Sequence, residues 1–210
     1  MKWLFNKETR RSEKNGTLSV VTFLGRTSVI AGGSQQSGPG MNRVIASMLS
    51  RVQARVAPHP RVLLLGLGAG CGIAEIYRSF PDASITAVEY DTEMIRLSHE
   101  LMPWSEHAEP TIINADASDA IRNLAPGFDL IVIDIFEIQA TGRYKTSIPS
   151  HLLLEPAFAT ALRDLLAPYG VAVANVLNDM EHFSALAGAF DSSEYWKRGG
   201  NQLGAFWTRP

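Results

Sequence analysis

Four glycines stand at alternate positions, Gly66, Gly68, Gly70 and Gly72, between the apolar run V-L-L-L and a second apolar stretch, S-I-T-A-V, that ends in Glu89. Apolar on both sides of a glycine-dense loop, with a carboxylate closing the second stretch, the segment 61–89 supplies the parts of a nucleotide or nucleoside crevice in a parallel sheet. The glycines let backbone approach a ligand where a Cβ would clash or forbid a positive φ. Of two better-known loops, one is disfavoured and the other excluded. Cys71 stands where the third glycine of G-x-G-x-x-G belongs, which counts against a nicotinamide dehydrogenase, and no G-K-[ST] follows, so this is not a P-loop.

The surrounding pattern alternates strand and helix. The sequence predicts strands over 62–65, 85–88, 111–114, 128–135 and 171–176, and helices over 73–80, 91–101, 117–124 and 150–166, with another running through Ala189. F-D-L-I-V-I-D-I is apolar on both faces and belongs at the sheet centre. The tail, with G-G-N at its turn and Tyr195, Trp196, Phe206 and Trp207 on its arms, reads as an antiparallel hairpin. Five βα units and this hairpin make a seven-stranded, mostly parallel α/β sheet.

Upstream, residues 1–15 alternate charges with little periodicity and read as a loosely ordered lead, with Trp3, Leu4 and Phe5 available to dock on a neighbour. From Thr17 a small β-hairpin is expected. The stretch G-G-S-Q-Q-S-G-P-G is too dense in turn residues for a regular element, and reads as a linker or a lid segment carrying Gln35 and Gln36. A helix follows over 41–56. The expected organisation is an N-terminal lead and hairpin, 1–40, and a Rossmann-like catalytic domain, 41–210.

At 210 residues the chain suffices for one well-buried domain. A net charge of -2 offers no basic footprint, so nucleic acid is not an expected partner. One cysteine, Cys71, excludes an internal disulfide; with no histidine near it in sequence, it reads as a packed loop residue. The five histidines lack metal-ligand spacing, and no metal is expected. His151 is the one to watch, because it follows a predicted gate loop over 140–149 in which Arg143, Tyr144 and Lys145 can close on the crevice. No stretch suits a signal peptide or a membrane span, so the expectation is a cytoplasmic protein; the hairpin and the aromatic tail suit a homodimer.

In an open parallel sheet a ligand sits beyond the carboxyl ends of the strands. Glu89, Asp116, Asp134 and Glu137 all fall there. Glu89 stands where an acid accepts both hydroxyls of a ribose. Asp116 suits an adenine amine, a helix N-cap, or both.

G-L-G-A-G-C-G-I-A-E-I, V-E-Y-D, N-A-D-A and F-D-L-I-V-I-D-I-F-E, in that order, resemble the spermidine synthase (polyamine aminopropyltransferase) family of the class I S-adenosylmethionine-dependent methyltransferase fold. The resemblance covers roughly 17–180 and includes the upstream hairpin and G-G-S-Q-Q-S. It implies that Gln36, Gly66, Gly68, Gly70, Glu89, Asp116 and Ala117 bind S-adenosylmethionine or its decarboxylated form as co-substrate. Glu89 would take the ribose, Asp116 and Ala117 the adenine, and the 66–72 loop the sulfonium side chain. Asp134 and Glu137 would be the catalytic carboxylates, Asp134 holding the ammonium of a small amine or other small nucleophile and accepting its proton. The sequence departs from the family in three places. Ala69 replaces a loop aspartate, Glu137 replaces the second aspartate of D-x-x-D, and M-N-R-V-I-A-S-M stands where a tyrosine-histidine-glutamate cluster belongs. A dicationic acceptor such as putrescine would miss those acids. Aminopropyl transfer is the first reading; methyl transfer and non-catalytic nucleoside binding are the alternatives.

Overall fold

The computed structural model describes residues 4–101, 107–141, 144–177 and 179–208. Four antiparallel strands come first: β1 (Phe5–Ser12), β2 (Gly16–Phe23), β3 (Arg26–Ala31) and β4 (Ser34–Ser37), paired in that order. The expected hairpin is thus a four-stranded sheet. The lead predicted to be loose is an edge strand, pairing residue for residue with β2 from Phe5↔Phe23 to Ser12↔Gly16. Its charged side chains conceal it because the pairing uses backbone groups only, and charge on an edge strand is a normal guard against further pairing. Likewise S-Q-Q-S, predicted to be irregular, pairs with β3 across a register shift between Val29 and Ile30. Gly32 and Gly33, at φ 54 and 78, make the turn that permits it. Trp3 lies outside the described residues.

Helix α1 (Pro39–Val52) opens on a proline, whose fixed φ suits a first helical turn, and buries Val44, Ile45, Met48, Leu49 and Val52. The alternation then runs β5 (Arg61–Leu65), α2 (Cys71–Ser79), β6 (Ser84–Glu89), α3 (Thr92–Leu101), β7 (Thr111–Asn114), α4 (Ala117–Asn123) and β8 (Phe128–Ile133). The predicted gate loop is instead part of a second hairpin, β9 (Phe136–Thr141) with β10 (Tyr144–Pro149), closed by Tyr144↔Thr141. Tyr144 and Lys145 open β10, and Arg143 lies outside the described residues. The helix predicted over 150–166 divides into a 3-10 turn, His151–Leu154, and α5 (Pro156–Leu165), because Pro156 starts a helix well but cannot continue one. β11 (Leu166–Leu177), α6 (Met180–Ala187), β12 (Ser192–Arg198) and β13 (Asn201–Trp207) complete the chain.

The main sheet has the order β12-β13-β11-β8-β5-β6-β7, with β8 central. β11, β8, β5, β6 and β7 are parallel, and β13 runs antiparallel to both β11 and β12. Along β5 the side chains alternate between two cores. Val62 and Leu64 pack with Met48, Ile73 and Ile76 on one face, while Leu63 and Leu65 pack with Ile121, Phe158, Leu162 and Leu186 on the other. Burial on both faces is why these strands read as unbroken apolar runs. A third cluster joins the two sheets: Leu18, Val20, Val29 and Ala31 meet Ala69, Met94 and Leu97. Among the described residues no helix is long and apolar enough to cross a membrane.

Candidate functional site

After β5 the chain winds one way through β6 and β7, then returns to place β8 on the other side of β5. A doubly wound sheet leaves a crevice where its winding reverses, here at the carboxyl ends of β5 and β8. The two ends are locked together. Asp134 N donates to Leu65 O at 2.8 Å, and a Cβ on Gly66, whose φ is 87, would lie 2.2 Å from the Asp134 carbonyl oxygen. Gly68, at φ 52, has a similar constraint against the backbone of Gln36, so the glycine loop is pressed between β8 and the N-terminal sheet.

A cavity of about 370 Å³ opens above these ends. Of the sequence-predicted residues, Gln36, Gly66, Gly68, Glu89, Asp116, Ala117, Asp134 and Glu137 all line it. Gly70 is the exception. It is the left-handed N-cap of α2, at φ 90, and sets the start of the helix rather than the wall of the cavity. Gln35 lines the cavity but has its amide committed, Nε2 donating to Ser28 Oγ at 2.9 Å and Oε1 accepting from Gly40 N at 2.9 Å. Gln36 reaches across to the second hairpin, donating to Ser147 Oγ at 3.1 Å.

Glu89 ends β6 almost fully buried and receives two backbone amides, Gly68 N at 3.1 Å and Asp91 N at 3.0 Å. Burial dominates, and pushes its pKa up to about 7 against those two donors. The neighbouring Asp91 caps α3 by accepting from Glu93 N at 2.9 Å, as its position predicts, and also takes Ser12 Oγ and Asn15 Nδ2 from the N-terminal sheet. Asp116 caps α4 through Ser118 N at 2.8 Å while still facing the cavity, so its two sequence roles are compatible.

Asp134 follows β8 at the cavity floor. Burial pushes its pKa up to about 6, partly offset by Asn175 Nδ2, which donates to Oδ1 at 3.0 Å. Glu137 stands in the opposite regime. Burial works to raise it, but Ser150 Oγ at 2.6 Å, His151 Nδ1 at 2.6 Å and His151 N at 3.1 Å converge on Oε1 and hold it below the ordinary value. Asn15, Tyr90, Ser147, Ser150 and Asn175 also line the cavity and were not singled out from the sequence. Asn175 left a readable trace, as the lone amide at the carboxyl end of the apolar run V-A-V-A-N-V. The others depend on which loops meet.

Cys71 is buried and its thiol is pushed up to about 11, chiefly by that burial, as befits a packed residue. The tail aromatics divide: Phe206 is fully buried beside Phe183, Trp196 is partly buried with Nε1 donating to Ser47 Oγ at 3.1 Å on α1, and Tyr195 is exposed. Ala69 is fully buried in the cluster between the two sheets, turned away from the cavity.

This architecture is the Rossmann-like fold of class I methyltransferases, preceded by a four-stranded antiparallel sheet. No protein-family model matches the sequence. The chain is 28% identical over 120 residues, 54% of its length, to polyamine aminopropyltransferase 1 of Streptomyces coelicolor, and spans only 21% of that longer protein. Among solved structures it is similar to a probable spermidine synthase from Corynebacterium glutamicum, with TM-score 0.76 and 21% identity over 95% of this chain and 79% of that one. A spermidine synthase in complex with the transition state analogue AdoDATO gives TM-score 0.75 and 16% identity over 97% of this chain and 73% of that one. Human methyltransferase-like protein 13, in complex with SAH, gives TM-score 0.59 and 19% identity over 81% of each.

Proposed function

We propose that the chain is a transferase that binds S-adenosylmethionine or its decarboxylated form and transfers an aminopropyl group to a small amine. The observation carrying this reading is that Glu89, Asp116, Asp134 and the glycine loop, scattered over 69 residues of sequence, line one cavity at the switch point of a fold shared with spermidine synthases. Adenine lies against Asp116 and Ala117, and the ribose hydroxyls donate to Glu89. The sulfonium side chain runs over Gly66 and Gly68 toward Asp134, with Gln36 covering it from the N-terminal sheet. The two parts of the chain divide accordingly: 1–40 forms the cover and 41–210 the catalytic domain.

The reaction is a displacement at carbon. The nucleophile's nitrogen lone pair forms a new C–N bond as the C–S bond breaks, and the electron pair of that bond neutralises the sulfonium to a thioether. The donor carries its own leaving group, so the protein contributes position and charge. Asp134, with a pKa of about 6, is ionised at neutral pH, where it holds the incoming ammonium and accepts its proton.

Methyl transfer is the second reading, and Ala69 favours it. With that residue sealed in an apolar cluster, the loop offers no carboxylate to the free amine of a decarboxylated donor. Product mass separates the two. Incubation with each donor and a panel of amines including putrescine should add one aminopropyl group, whereas a gain of one methyl group would replace the first reading by the second.

A further inference from the structure

His151 stands at the cavity wall in a setting that neither the glycine loop nor the strand-end acids require. Ser150 Oγ accepts from Leu152 N at 3.3 Å and starts the 3-10 turn that carries His151, while donating to Glu137 at 2.6 Å. The imidazole Nδ1 lies 2.6 Å from the same Glu137 oxygen. A carboxylate held below its ordinary pKa can only accept, so Nδ1 carries the hydrogen, and in the neutral imidazole the lone pair is on Nε2. Glu155 Oε1, at 3.9 Å from Nε2, is beyond hydrogen-bond distance. A carboxylate fixing the tautomer of a histidine whose other nitrogen is open is the arrangement of a poised general base. The side chain is 68% exposed, so it touches bulk water as well as the cavity.

Asp134 is the more enclosed of the two. It sits at the floor, one oxygen accepting from the buried Asn175, and a proton left there would have to be passed on before the next turnover. We infer that His151, oriented by Glu137, is the terminal proton acceptor of the transfer: the proton shed by the nucleophile, directly or by way of Asp134, ends on Nε2 and leaves to solvent. The C–N bond forms, the C–S bond breaks onto sulfur, and one proton goes from the nucleophile to the imidazole, which returns it to water. Glu137, committed to His151 and Ser150, is then a positioning residue and is withdrawn from binding a second ammonium. Asp134 remains as the carboxylate for a single one, which points to an acceptor presenting one cationic amine at the reacting end.

This inference rests on the transferase reading. Its test compares wild type, His151→Ala and His151→Gln, with methylthioadenosine affinity by calorimetry as the measure of an intact site, and turnover with the best donor and amine as the readout. Both variants should keep wild-type affinity for methylthioadenosine and unchanged KM, while kcat falls about 100-fold. Added imidazole should restore at least tenfold of that loss in His151→Ala, a rescue that a merely structural histidine would not show. Glutamine can keep the hydrogen bond to Glu137 but cannot take the proton, so wild-type turnover in His151→Gln would overturn the assignment. A loss in His151→Ala that imidazole leaves untouched would overturn it too. If wild type itself neither binds methylthioadenosine nor consumes either donor, the transferase reading falls and takes this inference with it.

Discussion

Glu89 loses more through burial than it regains from the amides of Gly68 and Asp91, and Asp134 more than it regains from Asn175, so both carboxyls are raised in the folded chain. The sign of the consequence is fixed by linkage. Above pH 7 both groups are ionised in the folded and unfolded states alike, and the folded state alone bears the burial cost. As pH falls from about 7 toward the ordinary values of 4.5 and 3.8, the folded protein takes up these protons first. The ligand-free chain should therefore gain stability on the order of 1–3 kcal/mol between pH 7.5 and about 5. At lower pH, loss of the paired state of Glu137 and Glu93, both held below their ordinary values, works in the other direction. Nucleoside affinity should move oppositely to the first effect, because ribose hydroxyls donate best to an ionised Glu89. Below pH 7 the Kd for methylthioadenosine should rise toward tenfold per pH unit; a Kd flat from pH 7.5 to 5 would separate Glu89 from the ligand. Asp134→Asn removes a partly buried charge yet leaves an oxygen for Asn175. It should melt at or above the wild-type temperature and bind methylthioadenosine within about threefold, while kcat falls at least 100-fold. Wild-type turnover in this variant would remove Asp134 from the mechanism.

At the scale of elements, the glycine loop serves two partners at once. Gly66 and Gly68 face the cavity, while Ala69 between the loop's glycines packs beneath the N-terminal sheet with Leu18, Val29 and Leu97. Ala69→Asp puts a carboxylate among apolar side chains. The penalty should be about 2–4 kcal/mol, read as a fall of roughly 5–15 °C in melting temperature. An unchanged melting temperature, together with a new preference for the decarboxylated donor, would show that the side chain at 69 can reach the cavity after all. The elements themselves were unequally legible. β5, β6 and β8 declare themselves because side chains on both faces are buried. β1 and β4 do not, since they are joined through backbone pairing and their polar or charged side chains carry no apolar alternation; F-E-I-Q-A-T of β9 does alternate, but it follows directly on the apolar run of β8 and reads as its continuation into a loop. The division of the helix predicted over 150–166 was written in Pro156, and it matters because the 3-10 turn it leaves behind presents His151.

For the molecule as a whole, the strand-end acids could be found from sequence because the rule that places ligands in doubly wound sheets depends only on strand order. Glu89, Asp116 and Asp134 needed no tertiary information beyond that rule, and all three line the same cavity. What the sequence withheld were contacts across the chain: Asn175 on Asp134 over 41 residues, Gln36 on Ser147 over 111, and Ser12 and Asn15 on Asp91 over 79 and 76. Those last contacts attach the N-terminal sheet to the residue two places beyond Glu89, so that sheet and the Glu89 end of the cavity form one hydrogen-bonded unit. The most direct measurement is calorimetric titration of wild type and Glu89→Ala with methylthioadenosine at pH 7.5. An adenosine-sulfonium cavity predicts one site per chain in wild type and a loss of affinity of at least tenfold in Glu89→Ala, in line with about 1.5–3 kcal/mol for hydrogen bonds to a charged group. No binding by wild type, or equal binding by both proteins, would contradict it.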